Sequence, residues 1–110
     1  MTEKSFFTKA VHAGENRAEN RGAVGARIYA ASVFAFSDAD EGAAIHNHQK
    51  EGYFYGRLGN PTQTALERTI AELEAGADAL AFASGMAAAA AAVLTLVKTG
   101  DHIVAPASMY

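Results

Sequence analysis

The sequence predicts an α/β fold: an N-terminal arm followed by the opening of a parallel-rich sheet flanked by helices. Three observations carry that prediction. An apolar run of strand length, Ala79 to Ala83, breaks at Ser84-Gly85 and passes into a helix-forming stretch. That stretch, Met86 to Lys98, stops before Gly100, and a second apolar run, His102 to Ala105, follows and is closed by Pro106. Strand, glycine turn, helix and strand in this order make a βαβ unit, whose two strands run parallel.

The elements follow in chain order. Residues 1–30 show no sustained period of either kind and are interrupted by Gly14, Gly22 and Gly25, so they read as an extended arm with little core of its own. Ala31 to Phe36 is short, apolar and flanked by polar residues, as a strand would be. Ser37 is placed to cap a short helix reaching about Lys50, with Asp38, Asp40 and Glu41 crowding its positive end. Tyr53 to Arg57 is aromatic-rich and reads as extended. Asn60 is a good N-cap, Pro61 falls at the first helical position, and Gln63 sits where a capping-box partner belongs. Leu66, Ile70 and Leu73 then mark one apolar face, and Gly76 ends the helix. The alanine run 87–92 is biased composition, but alanine is the best helix former.

Composition removes several functions. The chain has 110 residues and a net charge of −3, with no cluster of Lys and Arg, which argues against nucleic acid and anionic membrane surfaces as partners. It has no cysteine, which excludes a disulfide framework, a thiolate metal site and a cysteine nucleophile. The longest apolar stretch, Met86 to Val97, is too short to span a bilayer. These features lead to the expectation of a cytoplasmic protein.

Three positions carry candidate chemistry. Ser84-Gly85-Met86 stands at a strand-to-helix turn, where unpaired backbone N–H groups and the helix dipole suit a phosphate, and Gly85 lacks the Cβ that would hold an anion off. Taken alone, the tripeptide is more often a plain turn with a cap. Tyr55 and Arg57, two apart on an extended segment, would face one side, a phenol and a planar guanidinium aimed at one anion. Alone, that pair is more often a surface arginine beside an aromatic strand. Tyr110 follows the second strand at its carboxyl end, the edge where open α/β sheets bind ligands, and its ring could stack on a planar cofactor or be an ordinary loop tyrosine. His46 and His48 are two apart on a helix, do not share a face, and make a poor metal pair.

Together these segments resemble one family. "EGYFYGRLGNPTQTALERTIAELEAG", "ALAFASGMAAA" and "GDHIVAPASMY", preceded by "FTKAVHAGE" and "IYAASVFAF", are similar to the transsulfuration enzymes of Cys/Met metabolism from about Phe7 to Tyr110. That group includes cystathionine γ-synthase, cystathionine γ-lyase, methionine γ-lyase and O-acetylhomoserine sulfhydrylase. The resemblance implies a fold-type I pyridoxal 5′-phosphate (PLP) enzyme, a homotetramer, with residues 1–58 an arm and short helix contacting a neighbouring subunit and 59–110 the start of the PLP-binding large domain. It implies that Ser84, Gly85 and Met86 hold the cofactor phosphate. Tyr55 and Arg57 would reach the phosphate in the neighbouring subunit, and Tyr110 would stack on the pyridine ring and assist proton transfer or leaving-group departure. The implied substrate is a small amino acid of homoserine-ester, cystathionine or methionine type.

Two departures stand out: Gly56 where the family usually has Ser or Thr, and Arg27 where a proline is common. The lysine that binds PLP in the family is expected beyond the matched region. Among Lys4, Lys9, Lys50 and Lys98, none is marked for that role, and Lys98 lies twelve residues from Met86, about 18 Å along a helix. Two readings of another class stay open: a truncated phosphate-binding or assembly fragment, and an alanine-rich oligomerisation domain whose motifs are chance.

Overall fold

A computed structural model describes residues 4–16 and 18–109. It contains four helices, α1 (Phe6–His12), α2 (Ala39–His46), α3 (Pro61–Leu73) and α4 (Gly85–Leu96). The chain divides into two compact units, Met1–Leu80 and Ala81–Tyr110.

In the first unit, α1 is a helix where residues 1–30 are expected to be an extended arm with little core of its own. Ser5 caps it, its Oγ accepting from the Thr8 N–H at 3.4 Å. Seven residues are too few for a period to register, so the sequence pattern is silent there. The helix packs on α3 and pairs Lys9 with Glu72 at 3.4 Å. Gly14, just beyond α1, lies so close to α3 that a Cβ on it would overlap the Ala65 carbonyl oxygen and the Thr69 hydroxyl. Ala65, Thr69 and Glu72 are spaced i, i+4, i+7, so α1 lies on that stripe. Leu66 and Ile70, the expected buried face, remain 53% and 44% exposed. Periodicity identifies the face that favours burial but not whether an element covers it.

Residues 31–36 do not form a strand of full length. One isolated antiparallel bridge joins Val33 to Tyr55, with Gly56 N–H donating to Ser32 O at 2.7 Å and Phe34 N–H to Phe54 O at 3.3 Å. Around it, Phe36 stacks on Phe54 at 5.3 Å, His46 on Phe54 at 5.5 Å, and Phe34 meets Tyr53 at 5.4 Å. This aromatic cluster seats α2. Gly42, buried in α2, has the Phe36 ring where its Cβ would be.

The cap of α2 is Asp38 rather than Ser37: Asp38 Oδ1 accepts from the Glu41 N–H at 2.8 Å. Glu41 Oε2 reaches back to accept from both the N–H and the hydroxyl of Ser37 at 2.6 Å, a reciprocal cap shifted by one residue. The helix also ends at His46, short of Lys50. His48 adopts a left-handed conformation (φ 56°), and Gln49 N–H donates to Ala44 O at 2.9 Å, the long bond of a Schellman ending. His48 therefore terminates a helix, while His46 stacks on Phe54.

Lys50 and Ser37 together hold the Glu41 carboxyl at about 2, below the ordinary 4.5, the Lys50 ammonium being the larger cause. A depressed carboxyl contributes its full stabilisation above its ordinary value and loses it as pH falls through about 2. An NMR titration should find the Glu41 carboxyl changing near pH 2, and Lys50→Met should move it back toward 4.5. Titration at the ordinary value in the unsubstituted protein would refute the pairing.

Helix α3 begins as expected, with Asn60 as N-cap and Pro61 in the first turn. Its end differs in detail. Ala75, not Gly76, takes the left-handed conformation (φ 52°), and Gly76 N–H closes a second Schellman ending on Ala71 O at 2.9 Å. Alanine there carries a backbone cost that glycine would not.

In the second unit, Ser84 caps α4, its Oγ accepting from the Ala87 N–H at 3.1 Å. The helix runs through the alanine tract, and Lys98 to Asp101 then form a turn with Gly100 at the position needing positive φ (98°). The expected strands 79–83 and 102–105 belong to no ladder, so the described residues contain no sheet. A strand exists only where a second segment runs beside it in register, and neither 79–83 nor 102–105 takes part in the one bridge among the described residues. No hydrophobic residue is buried among the described residues, and Val104 is wholly exposed.

Candidate functional site: two phosphate-suited surfaces

The first surface is the N-terminus of α4. Ser84 is extended (φ −155°, ψ 156°) and its hydroxyl already satisfies Ala87. The first N–H in the ladder of α4 is that of Ala88, which donates to Ser84 O at 3.1 Å, so the N–H groups of Gly85 and Met86 have no helical carbonyl four residues before them and point outward along the axis. A Cβ on Gly85 would meet nothing within 4 Å. Gly85 thus leaves open space around two unpaired donors at the positive end of a twelve-residue helix. The arrangement fits a phosphate. Ser84 is the cap that starts the helix.

The second surface is the turn carrying Tyr55 and Arg57. The two side chains do come together, but not along an extended strand. Only Tyr55 is in the bridge; Gly56, Arg57 and Leu58 turn away, with Leu58 N–H donating to Tyr55 O at 2.8 Å and Gly59 N–H to the same oxygen at 3.2 Å. The turn folds the Arg57 guanidinium over the Tyr55 ring, 5.4 Å from its centre. Stacking on the ring orients the planar fork while leaving its N–H groups available. Among the described residues no carboxylate pairs with Arg57. Both residues are exposed. A cleft of about 370 Å³ between the arm and α3, lined by Arg27, Tyr29, Phe34, Tyr53 and Arg68 among others, includes neither of them. The pair therefore presents itself on open surface.

Sequence reasoning missed the support beneath this turn. Asn60, read only as a cap, also donates from Nδ2 to Tyr29 O at 3.0 Å and to Ala31 O at 3.1 Å. Thr62 accepts from the Tyr29 N–H at 2.8 Å and donates to Arg27 O at 3.2 Å. The available signal was that a cap uses one acceptor of asparagine and leaves two donors idle. Tyr110 lies outside the described residues. The described residues contain no group of three or more His, Asp or Glu side chains that could hold a metal ion. No helix among them is long and apolar enough to cross a membrane.

A free helix N-terminus and an unpaired, oriented arginine have the chemistry of proteins that bind a phosphorylated ligand. The chain belongs to the Cys/Met metabolism PLP-dependent enzyme family, whose pattern matches residues 7–110. It is 42% identical over 105 residues to the L-methionine gamma-lyase of Pseudomonas deceptionensis, covering 96% of this chain and 26% of that protein. It is 44% identical over 103 residues to the cystathionine gamma-synthase of Mycobacterium bovis, covering 94% and 25%. The crystal structure of a putative O-acetylhomoserine (thiol)-lyase from Campylobacter jejuni, which carries a pyridoxyl-lysine phosphate, superposes with a TM-score of 0.81 at 34% identity. That match covers 90% of this chain and 24% of the other. The chain spans about a quarter of the length of the relatives it matches. Its course is thus that of part of a fold-type I PLP enzyme, although its described residues form helices and no sheet.

Proposed function

We propose that this chain supplies the phosphate grip of a PLP-dependent enzyme that carries out γ-elimination or γ-replacement on a sulfur amino acid, of methionine γ-lyase or cystathionine γ-synthase/lyase type. An O-acetylhomoserine sulfhydrylase type is the neighbouring alternative. The observation that carries the reading is the open N-terminus of α4, where Gly85 leaves two donors facing empty space.

The Gly85 and Met86 amides would bind the phosphate, aided by the helix dipole. Tyr55 and Arg57, from a neighbouring subunit of a cytoplasmic homotetramer, would add a hydroxyl and a guanidinium to the same group. Tyr110 would stack on the cofactor ring and assist proton transfer or departure of the leaving group. When bound, PLP supplies an electron sink for carbanion chemistry on the amino acid. Residues 1–58 would form the intersubunit arm and residues 59–110 the opening of the cofactor domain. The substrate would be a small amino acid of homoserine-ester, cystathionine or methionine type, a reading supported by the names of the relatives.

A second reading, a non-catalytic phosphate-binding or assembly fragment, is favoured by one observation: Leu94, Leu96 and Val104 are 78%, 79% and 100% exposed, as in a piece awaiting other protein. Gly85→Asp separates the possibilities. A carboxylate beside the two amides repels phosphate, so PLP affinity of the full-length protein should fall at least roughly tenfold, the loss of about 1.4 kcal/mol or more. Circular dichroism should be unchanged, since Asp is well tolerated in a first helical turn. Unaltered PLP affinity would remove the PLP reading and favour an oligomerisation domain. Lost affinity in a protein that never turns over a γ-substituted amino acid would favour the binding fragment.

A further inference from the structure

Asn60 is the closing link of a hydrogen-bonded ring. Its Oδ1 accepts from the Thr62 N–H at 2.9 Å, and its Nδ2 donates to Tyr29 O and Ala31 O. The amide orientation is unambiguous, because a flipped Asn60 would set its oxygen against two carbonyl oxygens. From Ala31 the chain passes to Ser32, whose carbonyl takes the Gly56 N–H at 2.7 Å. Gly56 sits between Tyr55 and Arg57, and the turn that carries them leads through Leu58 and Gly59 back to Asn60. Thr62 seals the outside of the ring at Arg27 and Tyr29. The tip of this ring is the Tyr55–Arg57 pair, and its anchor is the first turn of α3.

From this geometry we infer that Asn60 is a positioning residue for phosphate binding: it fixes the turn that aims Arg57, beyond its service as a helix cap. The inference rests on the proposed role of Tyr55 and Arg57. A cap needs one side-chain acceptor, and serine caps about as well as asparagine. Asn60→Ser keeps the cap of α3 but is too short, and has too few donors, to hold Tyr29 and Ala31 together. A residue that only caps would tolerate that change.

The experiment is a double-mutant cycle on the full-length protein, read as the equilibrium dissociation constant for PLP by absorbance titration. Asn60→Ser should weaken PLP binding several-fold to about tenfold, while the helical content measured by circular dichroism is retained. In an Arg57→Ala background the same substitution should cost little further, because its target is already gone. Thr62→Val, which releases the same arm segment without touching the cap, should reproduce the effect in smaller degree. Unchanged affinity in Asn60→Ser, or an equal loss with and without Arg57, would overturn the positioning role. If Arg57→Ala itself leaves affinity unchanged, both this inference and the reading beneath it fall. If Arg57→Ala weakens binding and Asn60→Ser does not, the positioning role alone falls.

Discussion

Arg57→Ala is expected to weaken PLP binding by roughly ten- to a hundredfold in the full-length protein. A hydrogen bond to a charged partner contributes about 1.5–3 kcal/mol, and about 1.4 kcal/mol corresponds to a factor of ten. The arginine is well prepared for the task. It is exposed, has no carboxylate partner among the described residues, and is held over the Tyr55 ring at 5.4 Å. Holding the fork in advance reduces the entropy lost when it meets an anion. Arg57→Lys should recover part of the affinity, since charge survives and the planar fork does not. Tyr55→Phe should cost less than Arg57→Ala, because it removes one neutral donor and keeps the ring beneath the guanidinium. The reverse order, with Tyr55→Phe the more damaging, would assign the phosphate contact to the phenol and leave Arg57 a surface charge.

Gly14→Ala should detach α1 from α3. The added Cβ meets the Ala65 carbonyl group and the Thr69 hydroxyl. Neither can retreat cheaply: one belongs to the α3 backbone, and the other donates to that same carbonyl at 2.8 Å. Overpacking of this kind costs about 1–3 kcal/mol, and separation also removes the Lys9–Glu72 pair, in which the Lys9 side chain is half-buried. Hydrogen exchange should show residues 6–13 losing protection while residues 85–96 keep theirs. Unchanged protection in residues 6–13 would show that the close approach does not hold α1 in place.

What the sequence revealed and what it concealed divide by range. Caps are local chemistry, so Asn60, Pro61 and Ser84 were readable from their neighbours alone and stand where expected. Helix α2 was readable too, but its ends shifted because two competent caps, Ser37 and Asp38, stand side by side, and because His48 tolerates a left-handed backbone well enough to stop it early. Helix α1 was concealed by its brevity. The strands failed for a different reason: an apolar run records a residue's preference for a sheet, while a ladder needs a second chain segment that no local pattern specifies. The Tyr55–Arg57 pair was found for a partly wrong reason. Alternation along a strand put the two on one side, whereas a turn and a cation–π contact bring them together. The placement of Gly85 and Met86 at a helix N-terminus needed only the order strand-like run, Ser, Gly, helix former, so that helix start was legible in the sequence.

Helix α4 presents no polar face. Of its residues Gly85 to Leu96 only Thr95 carries a hydroxyl, and that hydroxyl is bonded to the Ala91 carbonyl at 2.6 Å. An alanine tract on a solvent-facing helix is ordinarily where a sequence drifts most freely. Here the helix has the character of an interior piece, and small side chains are what let neighbouring elements approach an interior helix closely. A saturation scan read in the whole protein would then be inverted with respect to exposure in the isolated chain: positions 87–92, which look permissive, would accept few residues beyond glycine and serine, and the charged surface of α3 would accept many.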